Sequence, residues 1–464
     1  MNISIHAAMK KLDIHCIVMA VMVMMSFPLR AQNTASGYFL EDYTYRYEMN
    51  PAIGNSRNFI AMPALGNMNV AMHGNLHVDD VIFNVDGRTT TFLNPQVGVK
   101  EVMDGISEKN RIGANVKLTL LAAGFKAFGG YNTVTINART AAEAQLPKSI
   151  FSLAKEGVVN RTYDITDLRA YGSAYGEIAL GHSHALGDKW RIGGTLKFLV
   201  GGGYVDASLR YAQLVLGEND WLVVADADLS ANVKGLSYKT KVNDRTNHRY
   251  VNGADIDGTG INGFGAAIDL GATYKPGRDW TLSVAVTDLG FIKWHNNMLA
   301  STNGPKTFNT DRYIFNVDDD ADNSFSNEWE RMKDGLSSLY ELEDMGDTGS
   351  KTRMLGATVN AGVEFTLPAW RRLSFGLLNT TRIQGEYSHT DFRLSANIAP
   401  AKCFDASVNM SAGTFGVGFG WLLNVHTKGF NMFLGMDRTP FRLAKQYVPL
   451  NSNASFNFGL NFPF

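Results

Sequence analysis

"SFNFGLNFPF" (Ser455–Phe464) closes the chain. Phe456, Phe458, Leu460, Phe462 and Phe464 fall on one face of a period-2 pattern. A β-strand sends successive side chains to opposite faces, so this stretch reads as a strand with an aromatic face. The pattern recurs upstream. Phe404, Ala406, Val408, Met410 and Ala412 alternate with Asp405, Ser407, Asn409 and Ser411, and Trp280, Leu282, Val284 and Val286 alternate with Thr281, Ser283, Ala285 and Thr287. Leu355 to Leu367 and Phe415 to Leu423 alternate in the same way.

A soluble sandwich also alternates, but two features favour a membrane barrel. The alternating segments run about 10 residues or more, the length that crosses a bilayer at a barrel's tilt. Their second face is small and polar, as a packed or watery lumen requires. Trp190, Trp221, Trp280, Trp294 and Trp370 sit near strand ends, where an interfacial girdle is expected. No helical span is expected, because no run approaches 18 uninterrupted apolar residues. Of the 464 residues 46 are Gly and only 12 Pro, and the formal net charge of -1 argues against a nucleic-acid partner.

Strands are expected near 68–78, 111–121, 131–140, 170–186, 189–199, 203–216, 221–233, 263–275, 280–290, 353–367, 373–384, 387–398, 404–412, 415–426, 430–437 and 454–464. That parse has sixteen members, and fourteen is equally admissible. Connections at 186–190, 216–221, 275–280, 367–373 and 426–430 are short, whereas those at 79–110, 141–169, 234–262, 291–352 and 438–453 are long. Short turns on one side and long loops on the other is the barrel asymmetry. The expected fold is all-β, a transmembrane antiparallel barrel of about fourteen strands (14–16).

The N-terminus reads as an export leader over residues 1–31. Lys10 and Lys11 precede the apolar run Ile17–Met25, which is too short to span, and "LRA" places the cut after Ala31. Residues 32–464 then form the barrel domain in the outer membrane. Of the two cysteines, Cys16 lies in the leader; Cys403 is expected to be buried or lipid-facing.

Next comes "YRYEMNPAIGNSRNF" (Tyr45–Phe59), which fits neither a helix nor a strand. Pro51 lacks a donor and fixes φ, so the segment suits a place off the sheet ladder. A barrel of this size has an interior too wide for its own side chains to fill. Residues 32–66, around Asn50, Pro51 and Ala52, suit a plug placed in that interior; the alternative is a flexible periplasmic tail with a proline turn. Tyr43, Tyr45, Tyr47 and Phe59 would pack on the lumen walls with their polar tips wet. Arg46 and Arg57 would pair with lumen carboxylates such as Glu364 or Asp405.

The closing strand with its final Phe resembles the assembly signal of Gram-negative outer-membrane barrels, with Phe456, Phe458, Phe462 and Phe464 as its residues. An early "NPA" behind a leader resembles the long-chain fatty-acid transporter superfamily, in which the N-terminal segment is a hatch inside a fourteen-stranded barrel. "GYFLEDYTYRYEMNPA" (37–52), "PALGN" (63–67), "LPKSIFSLAKEG" (146–157), "GFGAAIDLGATYKP" (263–276) and "DLGFIKW" (288–294) more closely resemble an uncharacterised Bacteroidetes-type outer-membrane family with a domain of unknown function. The resemblance covers nearly the whole chain after the leader. It implies a barrel, outer-membrane lipid and the barrel assembly machinery as partners, and no substrate of its own.

Other motifs carry less. "DDDAD" (318–322) lacks the Gly and Glu of a calcium loop, and it reads, like "NGADIDGTG" (252–260), as solvated. In "GHSHA" (181–185) Ser183 points away from His182 and His184, so no nucleophile dyad forms. "GGG" (201–203) reads as a tight turn, with a bulge as the minority alternative. Trp329, Met332, Leu336, Leu339 and Tyr340 suggest a short amphipathic helix over the outer mouth. No triad, metal site or cofactor is expected. The leading reading is passive uptake of a hydrophobic or amphipathic small molecule through a hatch-gated lumen with an apolar pocket beneath the outer loops. The alternative is a non-transporting barrel that binds a secretion partner as shuttle or surface anchor.

Overall fold

The computed structural model describes residues 34–157, 159–216, 221–243, 247–309, 341–440 and 453–464, with 327, 330–332 and 339. The leader, the acidic run 318–322 and most of the helix expected over 329–340 lie outside the described residues.

Fourteen antiparallel strands form a closed barrel among the described residues. They are β1 (in two pieces, Phe59–Ala61 and Met68–Gly74), β2 Lys109–Ala127, β3 Gly130–Pro147, β4 Arg169–Leu186, β5 Trp190–Leu216, β6 Gly263–Tyr274 and β7 Trp280–Trp294. Then follow β8 (Lys351–Met354 and Ala357–Thr366), β9 Leu373–Ile383, β10 His389–Ala401, β11 Phe404–Gly413, β12 Gly416–His426, β13 Asn431–Met436 and β14 Ala454–Pro463. β14 pairs back onto β1, with Phe59 opposite Pro463 and Met68 opposite Phe458. Closure leaves no wall edge with unpaired backbone groups, the condition for a sheet in hydrocarbon.

The two faces are inverted relative to a soluble protein. Leu394 and Met410 are 62% exposed and Phe464 69%, whereas Asn424, Asn457 and Asn461 are fully buried. Apolar side chains face outward and amides and hydroxyls face the interior, as a lipid-facing barrel requires.

One strand explains why the sequence admits two counts. Residues 190–216 form a single strand of 27 residues. Its first part pairs with β6, and the part after Gly203 pairs with Trp221–Val233. The expected tight turn at 201–203 is absent. Ala174 faces Gly203 while Tyr175 faces Gly201, so Gly202 is the extra residue of a bulge at which β5 changes neighbours. Trp221–Val233 leaves the wall and joins Asn297–Ser301, Lys306–Asn309 and Glu343–Asp347 in a sheet that prolongs the barrel on its long-loop side. The paired residues Leu216 and Trp221 therefore lie at the opposite end from the turn at 186–190.

Trp190 and Trp280 are each 48% exposed and Trp370 45%, at the short-turn end. Trp294 departs from the expected girdle: it points inward, 1% exposed. Cys403 is exposed in the turn between β10 and β11, not buried in the wall. Two short helices, α1 Val99–Gly105 and α2 Lys148–Glu156, cover the long-loop end, where Val102 and Phe151 share a small core.

Candidate functional site: the lumen and the segment within it

Residues 34–58 run inside the ring of strands, bonded to walls on opposite sides. Asp437 accepts from the backbone N–H groups of Ala35 and Ser36, at 3.1 and 2.6 Å. Across the lumen, the Asn360 amide donates to the Met49 carbonyl at 2.9 Å. Two short 3-10 turns, Ala35–Gly37 and Thr44–Glu48, compact the segment. Tyr43 and Tyr45 pack on Phe433, with ring centroids 4.9 and 5.8 Å apart, and Tyr45 and Tyr47 pack on Phe59 at 5.9 and 6.2 Å. The expectation that the tyrosine tips stay wet fails. All three rings are buried.

Asn50-Pro51-Ala52 forms the tightest fit. The Asn50 side chain accepts from its own chain at Ala52 N–H, at 3.0 Å, an Asx turn that holds the tripeptide. Its Nδ2 lies 3.3 Å from the Tyr38 hydroxyl, 3.4 Å from the Val284 carbonyl and 3.5 Å from the Ala272 carbonyl. Asn50 and Ala52 have no exposed surface. The wall opposite is bare. Gly193 of β5 and Gly271 of β6 are direct cross-strand partners. A Cβ on Gly193 would strike the Pro51 carbonyl, and one on Gly271 would strike the Asn50 side chain. Glycine at these positions serves close backbone approach, not an unusual φ.

The two arginines do not make the expected ion pairs. Among the described residues neither Arg46 nor Arg57 pairs with Glu364 or Asp405. Arg46 Nε donates to the Tyr38 carbonyl at 2.9 Å, and Arg57 Nη1 donates to the Thr427 carbonyl at 2.5 Å. Both cations serve backbone carbonyls of a folded-back chain, a partner that residue types alone do not indicate.

The lumen's strongest polar feature escaped the sequence reading. A belt of hydrogen bonds and ion pairs crosses six successive strands, β2 to β7. Thr119 donates to Asn137 and Asn137 to Glu177, each at 2.9 Å. Arg139 grips Asp288 with two bonds of 2.8 Å and reaches Glu177 at 2.8 Å. Lys197 lies 2.7 Å from both Asp269 and Asp288. Asp288 has φ 60, inside a register slip between β6 and β7, and its backbone N–H donates to Asp269 at 2.7 Å. The slip aims Asp288 at Arg139. A second pair, Lys117 with Glu48 at 2.9 Å, ties the inserted segment to β2. The legible signal was a charge at an inward position in a strand otherwise lined by small residues. Removing one member of such a buried pair costs about 3–5 kcal/mol, because it strands the other.

On the long-loop side of the segment lies a cavity of about 140 Å³. Ala35 and Met49 of the segment contribute to its lining, with Met72, Val116 and Phe415 as apolar wall residues. Lys117, Arg139, Arg382, Arg393 and Arg438 also line it, against Asp288, Asp391 and Asp437. The expected apolar pocket is therefore replaced by a mixed one, rich in cations. Arg438 and Arg393 pair with Asp391, at 2.7 and 3.1 Å. Arg382 differs: its Nε donates to the Gln384 side chain at 2.7 Å, and among the described residues no carboxylate lies within ion-pair distance of it, Glu143 acting on it only through space. Elsewhere, Ser183 faces inward, 3.2 Å from Arg191, while His182 and His184 stack on the other face, so the three do not converge.

A family model described as a family of unknown function (DUF5723) matches residues 51–437. The chain belongs to that family. The match runs from Pro51 to Asp437; residues 34–50 of the inserted segment and strand β14 lie outside it. No curated protein matches the chain. Among solved structures, the Pseudomonas putida toluene transporter TodX is 8% identical, with 94% of this chain and 95% of that one covered and a TM-score of 0.40. A Pseudomonas aeruginosa FadL homologue is 9% identical, covering 94% and 97%, at a TM-score of 0.37. The translocator domain of the autotransporter NalP from Neisseria meningitidis is 9% identical, covering 89% of each chain, at 0.32.

Proposed function

We propose that this member of the family is an exported outer-membrane channel whose N-terminal segment acts as a hatch beneath a binding cavity for an amphipathic small molecule with an anionic head. The cavity beside Arg382 carries this reading. Met72, Val116 and Phe415 offer an apolar wall to a chain, and Arg382 offers a guanidinium to a carboxylate or sulfonate. The inserted segment blocks the direct route from cavity to short-turn end, so passage requires it to shift. Lipid surrounds the apolar outer face, and the assembly machinery inserts the barrel. A second reading, a barrel that holds a secretion partner, draws on the sheet that β5 carries beyond the wall.

Binding separates the two. Purified barrel in a non-ionic detergent is titrated calorimetrically with decanoate and with decanol. Decanoate should bind about tenfold more tightly, the worth of one charge-assisted contact, and Arg382→Gln should abolish the difference. Equal binding of both, or none of either, contradicts an anion-recognising lumen.

A further inference from the structure

The geometry points to a divalent transition-metal site of the Zn2+ class at Asp42, Asp405 and His426, joining the inserted segment to the barrel wall. Asp42 lies between the two 3-10 turns of the segment, Asp405 is the second residue of β11, and His426 is the last residue of β12. One donor atom from each side chain lies within 4.8 Å of the other two. His426 is 3% exposed, and its Nε2 has no hydrogen-bond partner. That nitrogen lies 3.5 Å from Asp42 Oδ2 and 3.6 Å from Asp405 Oδ1.

Neither contact is a hydrogen bond, and both separations are close to the edge of a coordination tetrahedron. Two metal–ligand bonds of about 2.0–2.1 Å at a tetrahedral angle place their donor atoms about 3.3–3.4 Å apart. One imidazole and two carboxylates form a donor set of the Zn2+ or Mn2+ kind; Ca2+ sites are built from oxygen alone. The outer support is present. Asn424 Nδ2 donates to Asp405 Oδ1 at 2.7 Å and orients that carboxylate. A cavity of about 30 Å³ borders Asp42, Thr44, Arg57 and His426, though not Asp405, so a water as fourth ligand would enter on the Asp42–His426 side.

Arg57 is the opposing group. Its Nη2 lies 3.5 Å from His426 Nδ1. Metal on Nε2 fixes the tautomer with the proton on Nδ1, so Arg57 must withdraw from that contact while keeping the Thr427 carbonyl. Arg57 thus competes electrostatically with the ion. The site is independent of any transported solute: the ion would latch the segment to β11 and β12 whether or not the barrel is a channel.

The test uses the purified full-length barrel, stripped with chelator and equilibrated at pH 7 with Zn2+ alone. Bound metal is counted after dialysis. Wild type should hold one Zn2+ per chain more tightly than Mn2+ or Ca2+. Asp42→Asn and His426→Gln should each weaken that site at least about tenfold. Arg57→Gln should tighten it, which a purely structural histidine would not show. Asp42 lies off the wall, so Asp42→Asn keeps the test valid if His426→Gln fails to assemble. Zn2+ binding that survives Asp42→Asn unchanged, or wild type without a Zn2+ site, overturns the assignment.

Discussion

Gly271 is the residue on which the inserted segment most depends. It faces Asn50 with no side chain between, and its partner Gly193 does the same for Pro51. Gly271→Val should expel the tripeptide while the ladder stays closed. Limited proteolysis within 34–58 should then proceed on a barrel of unchanged heat-modifiable gel migration; a variant as resistant as wild type would refute the contact. Asn50→Ala should act in the same direction but more mildly, about 1–2 kcal/mol on the docking of the segment. The sequence made Asn50 and Pro51 legible through their unfitness for a strand. It did not mark Gly193 and Gly271, because an inward glycine reads the same whether it faces a void or a neighbour. A titrating pair sits outside the wall. His248 lies 2.9 Å from Glu341 and 3.0 Å from Glu343, with Lys306 3.2 Å from Glu343. The bond to Glu343 raises the His248 pKa, and the same bond lowers that of Glu343. The histidine's contribution is full below its ordinary pKa of about 6.5 and fades as pH rises through the raised value. The Glu343 contribution is present above about 4.5 and fades as pH falls through the lowered one. This clasp should hold best in mildly acid solution. Proteolytic cleavage between Asn243 and His248 should be slower at pH 5.5 than at pH 8.5, and His248→Gln should erase the difference; no pH dependence in wild type would argue against it.

Among the elements, β14 carries two duties. It pairs with both β13 and β1, so the ring cannot close without it. Its aromatics lie on the outer face, with Phe462 42% and Phe464 69% exposed. Deleting Phe464, or replacing it by Asp, should lower the yield of heat-modifiable barrel in the membrane, since a charge on the lipid face and a weakened closing strand both oppose insertion. Normal yield would show that assembly reads another feature. Strands β3 and β7 are joined across the lumen by Arg139 and Asp288. Arg139→Met should destabilise the barrel by about 3 kcal/mol, read as a lower temperature for loss of the compact gel form, and Arg139→Met with Asp288→Asn should recover part of it. A double-variant loss equal to the sum of the Arg139→Met and Asp288→Asn losses would mean the pair is uncoupled. The alternation of β11, β12 and β14 was legible because each strand has one lipid face and one polar face. β5 was not, because its bulge at Gly202 imitates a turn and its partner changes halfway.

At the scale of the whole molecule, the barrel is inside out. Outward leucines and methionines require lipid, and inward charges require one another. The interior then has to be filled, and residues 34–58 contribute aromatic bulk at the short-turn end beside the cavity lined by Arg382. Period-2 patterning revealed the barrel from the sequence, and a segment outside that pattern marked what lies within it. The lumen's charge belt and the Asp42–Asp405–His426 cluster stayed hidden because their members come from distant strands, and no local spacing records them. Asn50-Pro51-Ala52 is held against the β5–β6 wall inside a closed barrel. The direct measurement is Ala52→Cys in a Cys403→Ser background, exposed to a bulky thiol reagent from both sides of the membrane. Native barrels should remain unlabelled, react fully once denatured, and react without denaturation when Gly271→Val is added. Complete labelling of the native barrel without that substitution would show that the tripeptide is not held inside it.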